Sequence, residues 1–308
     1  MDLSLLQTRG ISVLEKPLLR DFTTFRLGGP CPCLVSCTTP RQLEVAVGEF
    51  AAAGRKFLLI GGGSNLLVSD EGLDAGIIRY YSEEPAIRCH GDVLEVDGAT
   101  LLDDLAVFAV EHGLDGLVYA SGIPGTVGGA IAGNAGAFGQ QIGDRVESVL
   151  LVDPSGRKQW QAGKSLGFAY RHSRLQDSGE ILVTAILRLP PGDAAELKKQ
   201  RAAILQQRRE KHPDWRKQPT AGSFFKTLEP TAAAERRPAA GWFLEQAGAK
   251  SLRVGGARLF EKHANIIVAE HGCTAQDVMD LSKRMAAAVK AKFGFDLSPE
   301  VRVIGRFK

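Results

Sequence analysis

The stretch Ser121–Gly139, SGIPGTVGGAIAGNAGAFG, gathers seven of the chain's 35 glycines into one short run between apolar segments. Glycine reaches positive φ without steric penalty and lets another group come close to the main chain. Gly122, Gly125, Gly128, Gly129, Gly133, Gly136 and Gly139 therefore predict backbone wrapped against something flat or charged. A second, shorter glycine loop lies upstream at Gly61–Asn65. Two such loops predict one large cofactor gripped from two sides.

A chain of 308 residues can bury a large core, and that length suggests about two domains. Hydrophobic residues at 44% and charged residues at 24% describe a globular protein with no room for a long disordered region. A formal charge of +3 suits anionic ligands without arguing for nucleic acid. The segment from Met1 to Pro30 carries alternating charges and no secretory-type apolar core, so no signal peptide is expected. No apolar run approaches the roughly 18 residues that span a bilayer. Cys31, Cys33, Cys37, Cys89 and Cys273 lack the paired spacing of a zinc site and read as reduced cytosolic thiols, with no metal expected.

Local signals mark several elements. Thr39 to Gly54 reads as a helix with Thr39 as N-cap and Pro40 in the first turn, followed by the strand KFLLI. The loop GGGSN after that strand has two readings. It is a turn whose backbone N–H groups point at an anion, or a tight hairpin between KFLLI and LLVS. The dinucleotide fingerprint does not fit, because Leu66 and Leu67 follow where a helix should open. Strands AGIIRYY and VLEVD follow, then a helix that Thr100 starts and Gly113 ends. After the glycine stretch come a hairpin of RVESVLLVD with RKQWQ, and the strand EILVTAILRL.

Composition shifts at Pro190-Pro191-Gly192, where Asp193 caps a basic helix carrying Lys198, Lys199, Arg201, Arg208, Arg209 and Lys211. Base-stacking aromatics are missing from it, so it reads as a solvated linker helix. Beyond lie AGSFFK, an apolar helix from Trp242 to Gly248, a strand near Ile266–Ala269, a long helix capped by Thr274, and a closing strand from Glu300 to Ile304.

Three positions place a reactive type in a constrained setting. Ser223 is a hydroxyl between glycine and two phenylalanines, a context for a proton donor or for an ordinary turn serine. Arg171, in Tyr170-Arg171-His172-Ser173, can stabilise an anion or be a plain surface residue. Glu300 opens an apolar strand as a general acid or as half of a strand-end salt bridge. His263, in Lys262-His263-Ala264-Asn265, reads as structural.

In order, the chain carries TTFRLGG from Thr23, GGGSNLLVSD, GIPGTVGGAI with NAGAFG, YRHS, AGSFFK, EKHAN and PEVRVIG. These seven motifs resemble those of the UDP-N-acetylenolpyruvoylglucosamine reductase family over nearly the whole length. The resemblance implies an α+β chain: an FAD-binding fold of two α+β subdomains, of the vanillyl-alcohol-oxidase type, plus a C-terminal α+β substrate domain. Residues 1–75, 76–190 and 191–308 are the three parts expected, in the subtype without an extra substrate-covering insert.

By that resemblance FAD is bound non-covalently and NADPH is the reductant. Gly61, Gly62, Gly63, Ser64 and Asn65 would hold the diphosphate, and Leu66 would also bind the cofactor. Ser121, Gly122, Ile123, Pro124, Gly125, Gly128, Gly129 and Ala130 would line diphosphate and flavin. Arg171, Ser223 and Glu300 would be catalytic, and Tyr170, Lys226 and Asn265 would contact substrate. NADPH and the UDP-sugar enolpyruvyl ether would use one cleft in turn, in a cytoplasmic monomer that binds neither nucleic acid nor membrane. The chain departs from the family pattern at Thr227-Leu228-Glu229-Pro230 and at Leu259-Phe260, and has Phe138 for a usual tyrosine. Two competing readings are an oxidase of the same fold and a non-catalytic nucleotide-binding relative. Flavin tethering through histidine near the first glycine loop is disfavoured, since no histidine lies between Met1 and Tyr81.

Overall fold

The computed structural model describes residues 3–228 and 239–308, so Glu229 and Pro230 lie outside the described residues. In chain order the elements are α1 (Leu3–Thr8), β1 (Ser12–Glu15), β2 (Cys33–Cys37), α2 (Pro40–Ala52), β3 (Phe57–Ile60), β4 (Leu66–Val68), β5 (Gly76–Tyr80), β6 (Ile87–His90), β7 (Val93–Asp97), α3 (Leu102–Glu111) and α4 (Val127–Ala132). There follow β8 (Gly136–Ala137), β9 (Gln140–Gln141), β10 (Val146–Val152), β11 (Lys158–Ala162), β12 (Ile181–Arg188) and α5 (Ala194–Lys211). The rest comprises α6 (Ala240–Gln246), β13 (Arg253–Val254), β14 (Ala257–Phe260), β15 (His263–Ala269), α7 (Ala275–Phe293) and β16 (Arg302–Ile304). Two compact units result. The first runs through Pro17 and includes Pro32–Gly62 and Asp74–Gln207; the second is Leu18–Cys31, Gly63–Leu73 and Arg208–Lys308.

The first unit contains two sheets. One has the order β1-β2-β5-β3, with β1 antiparallel to β2 and the other pairs parallel. Parallel strands need a crossover, and α2 supplies one between β2 and β3, which flank β5. Thr39 caps it by accepting a hydrogen bond from the Gln42 N–H, and Leu43, Ala46, Val47 and Phe50 bury one face at helical spacing. The other sheet, β11-β10-β12-β7-β6, is antiparallel throughout. Its central strand β12 is buried on both faces. Ile181 and Val183 pack in a core with Val35, Val47 and Ile78, while Leu182 and Leu187 join a second core with Leu105, Val127 and Ile131.

The second unit packs the antiparallel sheet β13-β14-β15 against α6 and α7 and pairs β4 with β16 in parallel. Thr274 and Asp277 form a complete capping box on α7, and Gly294 ends it in the left-handed conformation, as the sequence predicts. Val278, Leu281, Met285 and Val289 carry its apolar face into a core with Phe224, Phe225 and Ile267.

Three local expectations are corrected. The hairpin reading of KFLLI and LLVS fails, because β3 pairs with β5 whereas β4 pairs with β16. Each strand finds a partner distant in sequence, and Leu67 is wholly buried in the second unit's core. Thr100 does not cap α3; Leu101 occupies that position. The hydroxyl of Thr100, itself fully buried, instead accepts from the N–H of the exposed Ala86 at 3.2 Å. The glycine stretch is not all loop, since it holds α4, whose N-cap Thr126 accepts from the Gly129 N–H. Interior glycines each weaken such a helix by about 1 kcal/mol relative to alanine. Gly128 has a compensating role, because its N–H reaches the Gly98 carbonyl at 2.9 Å and a Cβ there would stand 3.1 Å from that oxygen.

Candidate functional site

The two glycine loops meet within the first unit. A Cβ built on Gly62 would lie 3.3 Å from the Gly125 Cα, and one on Gly61 would overlap the Thr126 hydroxyl. Gly122, Pro124 and Gly129 are exposed, while Gly61, Gly62, Ile123, Gly125 and Gly128 are half-buried. Ser121 and Ala130 are buried beneath them. The result is a cradle of bare main chain that side chains would fill, which fits an extended anion such as the diphosphate of FAD. Two residues missed by sequence reasoning stand beside it. The Tyr81 ring is 3.8 Å from where a Gly62 Cβ would be, and the Arg79 guanidinium lies 4.0 Å from the ring centroid. Burial lowers the Arg79 pKa and raises that of Tyr81. Their only sequence signal is RYY at the end of β5.

Tyr170 and Arg171 form the tip of a two-residue turn, because Ala169 and His172 exchange backbone hydrogen bonds at 3.0 and 3.1 Å. Arg171 has φ 54°, a strained value for a residue with a side chain. Its Nη1 donates to the Gly136 carbonyl at 2.8 Å, and its guanidinium lies 5.4 Å from the Tyr170 ring centroid. Asn134, buried in the glycine stretch, supports the turn through Nδ2, which donates to the Ala169 carbonyl at 2.9 Å. The Ser173 hydroxyl donates to the Ala132 carbonyl at 2.8 Å. The turn is thus built on the C-terminal half of the glycine stretch.

Ser223, Lys226, Asn265 and Glu300 gather in the second unit. Ser223 bridges to Ile266 of β15, so its backbone extends that sheet. Phe224 donates to the Asn265 carbonyl at 2.7 Å, and the Asn265 carboxamide grips the next residue, accepting from the Phe225 N–H at 3.0 Å and donating to its carbonyl at 2.8 Å. Asn265 is 4% exposed, so this pair of hydrogen bonds satisfies a polar group that would otherwise be costly to bury. On the other side the Phe224 carbonyl accepts from the Glu300 N–H at 2.8 Å, and Lys226 donates its N–H to Ser298. Phe224 and Phe225 are buried, with their rings edge-to-face. Ser223 itself is half-buried.

The first glycine loop contributes its second half to this unit. Asn65 donates through Nδ2 to the Glu300 carbonyl at 3.1 Å and accepts at its own carbonyl from Arg302. Gly63 must be glycine, since φ is +63° and a Cβ would strike the Phe22 carbonyl. Gly63 also accepts from Thr24, whose hydroxyl donates to the carbonyl of Thr220, shortly before Ser223. Ser64 and Leu66 are half-buried. Nearby, the His212 and His263 rings lie 5.5 Å apart. Burial, with the neighbouring His263, Arg208 and Lys211, pulls His212 down to about 4, and burial lowers His263 as well. Both are neutral at pH 7.

The first unit, with its bare-backbone cradle, fits an FAD-binding fold, and the second α+β unit brings a hydroxyl, a carboxylate and a carboxamide together on hydrogen-bonded segments. Consistent with this, the model of the FAD binding domain matches residues 31–160, and that of the UDP-N-acetylenolpyruvoylglucosamine reductase C-terminal domain matches residues 213–304. UDP-N-acetylenolpyruvoylglucosamine reductase of Heliobacterium modesticaldum is 37% identical over 96% of this chain and 92% of its own length. The Lactobacillus helveticus enzyme of the same name is 33% identical over the full length of both. The crystal structure of the Thermus caldophilus enzyme superposes with TM-score 0.79 and 32% identity, over 96% of this chain and 100% of that one. The chain belongs to the UDP-N-acetylenolpyruvoylglucosamine reductase family and is an FAD-dependent oxidoreductase.

Proposed function

We propose that the chain reduces UDP-N-acetylglucosamine enolpyruvate to UDP-N-acetylmuramate with NADPH, in peptidoglycan precursor synthesis. The observation that carries the assignment of chemistry to residues is the Phe224 carbonyl, which joins the Ser223 and Glu300 segments through one hydrogen bond. Held by this chain, FAD would supply hydride transfer between NADPH and the enolpyruvyl methylene carbon. Gly61–Leu66 and Ser121–Ala130 are the main-chain cradle for it. Negative charge then develops toward the substrate carboxylate. The guanidinium of Arg171 and the acid of Glu300 stabilise that charge, more in the transition state than in the bound substrate. The Ser223 hydroxyl protonates the adjacent carbon, with Phe224 and Phe225 limiting water at its back. Tyr170 and Lys226 contact the sugar nucleotide, while Asn265, its carboxamide committed to Phe225, acts by setting the segment that bears Ser223.

The proposal keeps three parts, 1–75, 76–190 and 191–308. The two sheets of the first unit support two FAD-binding subdomains, with β5 (Gly76–Tyr80) belonging to the first sheet. Cytoplasm and a monomeric state are part of the same reading. No helix among the described residues is long and apolar enough to cross a membrane.

Purified protein is expected to be yellow, to bleach on anaerobic NADPH addition, and to regain colour on mixing with the enolpyruvyl sugar nucleotide. Recolouring with air alone, and none with the sugar nucleotide, would overturn the reductase reading in favour of an oxidase.

A further inference from the structure

The carboxylate of Asp103 joins two segments that no motif connects. Its Oδ1 accepts from the Gly122 N–H at 2.7 Å and from Arg201 Nη1 at 2.6 Å, and its Oδ2 accepts from Arg201 Nη2 at 3.0 Å. Asp103 lies in the first turn of α3, and Arg201 on α5 is one of the basic residues expected on a solvated face. Its side chain is only 17% exposed. The start of α3 runs beside the glycine stretch for several residues. Leu102 donates its N–H to the Gly125 carbonyl at 3.0 Å, and Leu101 bridges to Thr126.

This arrangement has an electrostatic difficulty. Asp103 holds a negative charge on Gly122, in the loop assigned to an anionic diphosphate, and takes up the Gly122 N–H as a donor. A carboxylate there opposes an anion unless a cation is paired with it. Arg201 supplies that cation in the bidentate geometry that gives the strongest such pairing.

We propose that Asp103 and Arg201 act as a positioning pair for the flavin dinucleotide: Asp103 sets the shape of the Gly122–Gly125 loop, and Arg201 cancels the charge that Asp103 brings to it. The inference rests on the reading of this loop as the FAD cradle. It extends that reading to two residues outside every family motif noted in the sequence.

The test is titration of flavin-free protein with FAD, followed by quenching of flavin fluorescence at low and high salt. Arg201→Gln leaves the carboxylate uncompensated and is expected to weaken FAD binding by about tenfold or more at low salt, with the defect shrinking as salt screens it. The double variant Asp103→Asn/Arg201→Gln keeps an oxygen that accepts from Gly122 and removes the charge, so its affinity returns to within about threefold of wild type. Asp103→Ala loses the anchor and binds weakly at every salt concentration. A double variant no better than Arg201→Gln, or Arg201→Gln indistinguishable from wild type, overturns the proposal, since a purely structural ion pair gives no such reversal. Thermal unfolding of the flavin-free variants separates loss of fold from loss of affinity. Wild-type protein that takes up no FAD would instead overturn the cradle reading on which the pair depends.

Discussion

The Glu300 N–H donates to the Phe224 carbonyl at 2.8 Å, and that single hydrogen bond holds Glu300 beside Ser223 although the two positions lie far apart in the chain. Phe224 is clamped from the opposite side by Asn265, so its peptide has little freedom to tilt. In the proposed mechanism these are an acid and a hydroxyl whose backbones are fixed by hydrogen bonds, and such pre-organisation is what makes groups effective in a transition state.

Ser223→Ala is expected to leave the reduction of bound flavin by NADPH nearly unchanged and to slow its reoxidation by the enolpyruvyl substrate by about 10²-fold or more. Stopped-flow absorbance of the two half-reactions measures both. Equal slowing of the two would mean that the serine only supports the strand.

Asn265→Leu should destabilise the second unit by about 2–4 kcal/mol, because the N–H and carbonyl of Phe225 then lose buried partners. Denaturant unfolding gives the value. A change below about 0.5 kcal/mol, the low end for one net hydrogen bond, would show that water replaces the carboxamide.

Two glycines separate steric from conformational cost. Gly139 has φ +79° with open space around a Cβ, so Gly139→Ala should cost about 1 kcal/mol. Gly63→Ala adds a backbone collision with Phe22 to a similar φ and should cost on the order of 3 kcal/mol, with weaker flavin retention. Comparable losses in urea melts would contradict the collision.

The half-buried histidine pair makes stability depend on pH. His212 is lowered to about 4 in the folded chain, against an ordinary value near 6.5. The unfolded state therefore binds more protons between these values, so stability is full above about pH 6.5, falls as pH drops, and levels off below about 4. His263, also lowered, adds in the same direction. His212→Gln should flatten that decline in a series of thermal melts from pH 7.5 to 4. An unchanged slope would place the acid sensitivity elsewhere.

Much of the secondary structure is legible in short-range signals. Thr39 with Pro40, and Thr274 with Asp277 and Gly294, mark helix ends through side chains close in sequence to the groups they satisfy, and α2 and α7 begin and end there. The density of glycine likewise points to a ligand cradle, and seven motifs in order carry the family resemblance. The roles proposed for Ser223, Arg171 and Glu300 rest on those motifs. Their local contexts alone leave each open to an ordinary structural reading.

Residue order thus fixes the caps, the apolar faces, the places of flexible backbone and the family. Only the packed chain settles that LLVS leaves KFLLI to pair with β16, that Thr100 is committed to Ala86 rather than to α3, and that Arg201 leaves a basic surface to pair with Asp103, 98 residues away. The cause is common to all three. Capping and amphipathic spacing act over a few residues, whereas strand partners and buried ion pairs depend on which distant groups the packed core brings within hydrogen-bonding reach.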